Sequence, residues 1–145
     1  MNKKRLISWL AVVLWLVLIF VLSAQSVHKS NGLSKGIAEE MVKIIEKISP
    51  DRHINIGRFN HYLRKTAHFL SYTMLAILVM NVLRMMSANG GKRIAIALAV
   101  CILFAISDEF HQLFVPGRGA QVKDVLIDTA GAIVGIFTSY VKFNY

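Results

Sequence analysis

The sequence is poor in cysteine, proline and charge. One cysteine, Cys101, lies inside an apolar run, so neither a disulfide framework nor a thiolate metal site is available. Two prolines and nine glycines leave little room for a disordered linker. Charged residues make up only 17% of the chain, too few for a soluble domain of this size. There is no Walker loop, no dinucleotide fingerprint and no serine-histidine-acid pattern. No compact basic face with interleaved aromatics is visible, which argues against nucleic acid as a partner.

Apolar sequence is abundant: 55% of the 145 residues are hydrophobic, and mean hydropathy is +0.53. Four runs reach the roughly 17–25 residues that a membrane-crossing helix needs. They are expected at about 6–22, 66–83, 94–115 and 122–141. The first follows Lys3, Lys4 and Arg5, as a signal peptide would. Its apolar run is longer than the usual h-region, and Leu22 fits poorly three residues before a cut near Ala24, so a retained helix is expected. Asn89-Gly90-Gly91 marks the second connection, and Pro116-Gly117-Arg118-Gly119 ends the third run. Short links imply antiparallel neighbours. The fold expected is all-α, a single membrane domain over 1–145.

The connection after the first span differs. Leu33, Ile37, Met41, Ile44 and Ile48 recur at spacings of three and four, with Lys and Glu residues on the other side. This predicts an amphipathic helix over about 33–48, ending before Pro50. It is too polar to span, and is expected to lie on the membrane surface or cap the bundle. Four spans place both termini on one side. The basic residues directly before the first span favour a cytoplasmic N-terminus, although ten of the seventeen Lys and Arg residues then lie on the other side.

Polar residues gather where the spans are expected to be apolar, and alternating helix direction brings them to one end, the outer one in this topology. Ser23, Gln25 and Ser26 close the first span. Arg64, Lys65, His68 and Tyr72 open the second, with Arg64, His68 and Tyr72 four apart on one face. Ser107, Asp108, Glu109, His111 and Gln112 occupy the last third of the third span. Asp124 and Asp128 open the fourth, above Gly131 and Gly135, whose G-x-x-x-G spacing permits close helix contact. From Ile94 to Ser107 a helix rises only about 21 Å, short of the ~30 Å hydrocarbon core. Asp108 and Glu109 are therefore expected inside the membrane, where a carboxylate is costly and faces the bundle interior. Arg64 is expected to join them, and Arg118 is placed to fold back over the cluster.

Plainer readings stand beside these. Lys65 would serve as a snorkelling anchor, Asp124 as a helix cap, Tyr72 as part of the interfacial belt, and His68 as a satisfied polar residue. The whole cluster would also serve as a structural ion-pair network.

The residues Arg64-Lys65-x-x-His68-Phe69-x-x-Tyr72, then Asp108-Glu109-Phe110-His111-Gln112-x-Phe114-Val115-Pro116-Gly117-Arg118, then Asp124-Val125 leading to Gly131-Ala132-x-x-Gly135, resemble the VanZ-like family over nearly the whole chain. Ser23-Ala24-Gln25-Ser26 fits the same pattern. Asp128 departs from it, since asparagine is expected there. The resemblance implies a multi-pass protein of the bacterial cytoplasmic membrane, linked through the family's namesake to teicoplanin resistance in Gram-positive bacteria.

Three functions follow as expectations. In the first, Arg64, Lys65 and Arg118 hold the phosphate or carboxylate of an envelope lipid or lipid-linked cell-wall precursor, or the cluster binds a partner protein. Asp108 and Glu109 orient the cations, and His68, Tyr72, His111, Gln112, Asp124 and Asp128 complete the site. In the second, an intramembrane enzyme acting on a lipid-linked or cell-wall substrate uses Glu109 or Asp108 as general base and His68 or His111 as general acid, with Arg64 and Arg118 stabilising developing negative charge. A divalent ion on Asp108, Glu109 and one histidine lacks a specific metal spacing, and no metal or cofactor is expected. The third, transport, requires a through-path that the apolar opposite halves of the spans deny, unless the chain forms a homo-oligomer.

Overall fold

A computed structural model describes residues 3–25, 27–48, 54–86 and 89–144, without the side chains of 27–31, 33, 143 and 144. Ser26 and Pro50 lie outside the described residues, as does the side chain of Leu33. The described residues form five helices: α1 (Lys3–Ser23), α2 (Val27–Ile48), α3 (Ile56–Met85), α4 (Gly90–Gln112) and α5 (Val122–Asn144). Four of them, α1, α3, α4 and α5, are long and apolar enough to cross a membrane. The protein is an all-helical, multi-pass membrane protein.

Helix α3 is the hub and packs against each of the other four. It starts ten residues before the apolar run does. Asn55 caps it, accepting the Arg58 backbone N–H at 3.1 Å. The first turns carry Arg58, His61, Arg64 and Lys65, so hydropathy alone places the start too late. Helix α4 starts four residues before Ile94 and ends at Gln112, three before Val115. There the chain leaves the helix through the Phe114 N–H to His111 carbonyl and Val115 N–H to Gln112 carbonyl turns. Gly117 then takes φ 78°, a left-handed conformation that glycine adopts without strain.

The closest pairing is α3 with α5. A Cβ at Gly131 would strike the Phe69 carbonyl, and one at Gly135 would strike that of Thr73. Thr73 Oγ1 donates across the seam to the Gly131 carbonyl at 3.0 Å, besides its own-helix bond to Phe69 O at 2.8 Å. Helix α1 is pinned by Trp15, whose indole N–H donates to the Ser71 carbonyl at 2.9 Å.

Helix α2 packs on α3 through small residues. Ala38 and Val42 are buried, whereas Ile37, Met41, Ile44 and Ile48 stay exposed, Ile48 to 77%. Apart from Ile37, which borders a cleft, the described residues of the apolar stripe read from the sequence turn away from the protein, and a neighbouring face makes the contact. Short side chains there let α2 settle against α3.

The opposite end of the bundle is not wholly apolar, contrary to the sequence reading. Asn81, Arg84, Thr138, Ser139 and Lys142 line a crevice there between α3 and α5. Buried Leu75, Ala76, Val79 and Met80 of α3 lie between it and the polar cluster.

Candidate functional site

The end of α1, the start of α3, the end of α4 and the start of α5 meet, as alternating direction requires. Asp108 and Glu109 are both buried. Asp108 accepts a hydrogen bond from the Ser23 hydroxyl. The Gln112 amide donates to Asp108 Oδ2 at 3.2 Å and to Glu109 Oε1 at 3.3 Å. Spacings of four and three put all three side chains on one helix face. The Gln121 backbone N–H donates to Glu109 Oε2 at 2.6 Å. The two acids thus tie α1, α4 and the loop before α5 into one unit, and each lone pair so engaged offsets the cost of burial.

Two further pairs join α3 to α5. Lys65 forms an ion pair with Asp124, both mostly buried. Lys65 is therefore an interior partner rather than a snorkelling anchor, and Asp124 uses its carboxylate across the helix pair. His68 Nδ1 lies 3.4 Å from Asp128 Oδ1. Asp128 is 0% exposed, and neither of its oxygens has a partner in hydrogen-bond geometry among the described residues.

Two clefts adjoin this cluster. The first, about 390 Å³, is mainly apolar and lies between α1, α2 and α3, with Ile19, Leu22, Ile37 and Ala67 among its walls. The second, about 200 Å³, is polar and is lined by Lys65, Gln112, Gln121 and Asp124 among others. Arg64, His68 and Arg118 line both. Arg118 sits in the loop beyond α4, and its Nε is buried without a hydrogen-bond partner among the described residues. Burial pushes its pKa below the ordinary arginine value, and the neighbouring Arg64 charge adds to that, opposed by Asp108, Glu109 and Asp124. Two guanidiniums that line the same clefts repel each other and jointly favour an anion there.

The sequence candidates divide accordingly. Arg64, Lys65, His68, Gln112, Arg118 and Asp124 reach a cleft. Tyr72 is fully buried instead of interfacial, packs on Phe104 with ring centroids 6.3 Å apart, and borders the apolar cleft. Asp108, Glu109 and Asp128 stand behind the cleft walls and do not line them. His111 stacks on Phe20 at 4.4 Å, away from both clefts. Gln121, which the sequence reading missed, contributes through its backbone, and a backbone donor leaves no trace in residue type. Ser34 and Ile37 of α2 were also missed as lining residues. Their helix is expected on the membrane surface or capping the bundle, and nothing in its periodicity tells which neighbour it touches. Among the described residues no three His, Cys, Asp or Glu side chains gather closely enough to hold a metal ion.

Fold and site together define a polytopic helical membrane protein with a carboxylate-and-arginine cluster at one end of its bundle. A family model described as VanZ/LLP1 matches residues 8–143, and the chain belongs to that family. Comparison with curated proteins gives no match, and comparison with solved structures gives none either.

Proposed function

We propose that this VanZ/LLP1-family protein acts at the bacterial cell envelope by holding an anionic amphiphile, either an envelope lipid or a lipid-linked cell-wall precursor. The charged head lies between Arg64 and Arg118, and the chain lies in the apolar cleft. Both termini face the cytoplasm and the site opens toward the outer leaflet. Occupancy of the site lowers susceptibility to teicoplanin-type lipoglycopeptides.

The observation that carries this reading is the meeting of an apolar and a polar cleft at three shared residues, Arg64, His68 and Arg118. An amphiphile has the same division between chain and head. Guanidinium groups match phosphate and carboxylate oxygens in geometry as well as charge. Helix α2 supplies one wall of the apolar cleft, beside its own exposed apolar stripe, which suits entry from lipid. An enzyme using Asp108 or Glu109 as general base finds less support, because both are engaged by internal donors behind the walls.

The test compares teicoplanin and vancomycin susceptibility in a Gram-positive host carrying empty vector, wild type or Arg118→Gln at matched membrane levels. Wild type is expected to protect selectively against teicoplanin and Arg118→Gln to lose that protection. Binding of an anionic lipid by the purified variant should weaken about tenfold, the loss of one charge-assisted bond. Protection undiminished in Arg118→Gln would defeat the assignment of the site.

A further inference from the structure

His68 has an arrangement that anion binding does not require. Its Nδ1 edge faces Asp128, at 3.4 Å, and the residue lines both clefts. The two ring nitrogens lie on opposite edges of imidazole. A carboxylate facing Nδ1, here close but outside hydrogen-bond geometry, favours the proton on that edge electrostatically and leaves Nε2 with a lone pair, the arrangement of a general base. Asp128 is fully buried, and a carboxylate at this position in a span is expensive without a partner. Among the described residues, His68 is the one ionic partner that reaches it.

The surroundings decide which substrate such a base serves. Arg64, Lys65 and Arg118 line the polar cleft around His68, the cation set that stabilises a transferring phosphoryl group. Among the described residues the only carboxylate lining that cleft is Asp124, and Lys65 already pairs with it. Among the described residues no uncommitted carboxyl group lines the cleft to protonate a departing alkoxide. A phosphate leaving group departs as an anion and needs no such proton.

We propose that the site hydrolyses the terminal phosphoryl group of a lipid diphosphate, with His68 as the general base and Asp128 as its positioning residue. This rests on the amphiphile reading above and names the substrate class. Arg64 and Arg118 hold the terminal phosphoryl oxygens while the chain occupies the apolar cleft. Nε2 of His68 takes one proton from a water molecule as the water oxygen bonds to the terminal phosphorus. The bond from that phosphorus to the bridging oxygen breaks, and its electron pair stays on the bridging oxygen. The products are a lipid monophosphate and inorganic phosphate, and the proton on His68 returns to solvent. Nothing is oxidised or reduced.

The experiment uses the full chain in detergent micelles with farnesyl diphosphate as probe and farnesyl monophosphate as control. Binding and release of inorganic phosphate are measured separately. Wild type is expected to bind both and to release phosphate from the diphosphate alone. His68→Gln should bind the diphosphate as wild type does and release phosphate about 100-fold more slowly. Asp128→Asn should lower kcat per binding-competent molecule, counted by farnesyl diphosphate binding, and leave KM unchanged, whereas general loss of structure lowers binding and release together. It decides the matter even where His68→Gln does not fold. Release equally fast from His68→Gln overturns the role of His68, and release from the monophosphate overturns the substrate class. Binding without release overturns hydrolysis and leaves the amphiphile reading standing. Absence of binding defeats both.

Discussion

At the scale of single residues, burial separates side chains that hold the bundle together from those that face the clefts. Ser23 and Ser139 are both serines with almost no exposure, at 4% and 2%. Ser23 donates to buried Asp108, whereas Ser139 Oγ has no hydrogen-bond partner among the described residues. Ser23→Ala should therefore destabilise by about 1–3 kcal/mol, because it strips a donor from a buried carboxylate. Ser139→Ala should be close to neutral. Thermal unfolding in detergent checks both, and equal effects would mean that the Ser23–Asp108 bond contributes nothing special. That Asp108 and Glu109 are buried was legible from the sequence, since fourteen residues of helix from Ile94 stop short of the bilayer's far face. Their partners were not. Arg64 was expected to join Asp108 and Glu109 in one network, but the donation to these acids by Ser23, Gln112 and the Gln121 backbone was not specified. Partner choice depends on the rotation of neighbouring helices, and one chain's periodicity does not encode it.

At the scale of elements, the α3–α5 seam sets the site. Lys65–Asp124 and His68–Asp128 form only because the two backbones approach closely a turn or two further along, at Gly131 and Gly135. Without a hydrophobic force between helices in lipid, such close contact is what membrane helices use to associate. Gly131→Ala should cost about 1–3 kcal/mol or more, since the new methyl meets backbone and not a yielding side chain. Gly91→Ala, where nothing lies within 4 Å, is the control and should be neutral or slightly stabilising. Unfolding of both variants in detergent, with farnesyl diphosphate binding as a second readout, tests this. A stable Gly131→Ala that still binds would mean that the seam is looser than described. Helix α2 shows the converse limit. Its amphipathic pattern was plain from the sequence, but the stripe of larger apolar residues at Met41, Ile44 and Ile48 stays exposed while the small Ala38 and Val42 make the packing face.

At the scale of the whole molecule, topology links the site to one side of the membrane. The proposed orientation places Gly119, beside Arg118, outside the cell and Asn89 in the cytoplasm. The native Cys101 is fully buried and leaves engineered cysteines as the reactive ones. Gly119→Cys should be labelled in intact cells by a membrane-impermeant maleimide, and Asn89→Cys only after the cells are opened. The reverse pattern would invert the bundle and turn the proposed site toward the cytoplasm.

By itself the sequence determined four apolar helices, their alternating direction, the small-residue seam and the gathering of charged side chains at one end. These follow from composition, helical period and the thickness of a bilayer, all local or one-dimensional quantities. Only the tertiary structure decided that Asp108 and Glu109 stand behind the site, and that Arg64, His68 and Arg118 stand where two clefts meet. It also decided that His111 packs on Phe20 instead of joining them, and that α2 closes the apolar cleft. A cleft is the space left between packed helices, and its shape depends on how each helix is rotated and how closely its neighbours approach.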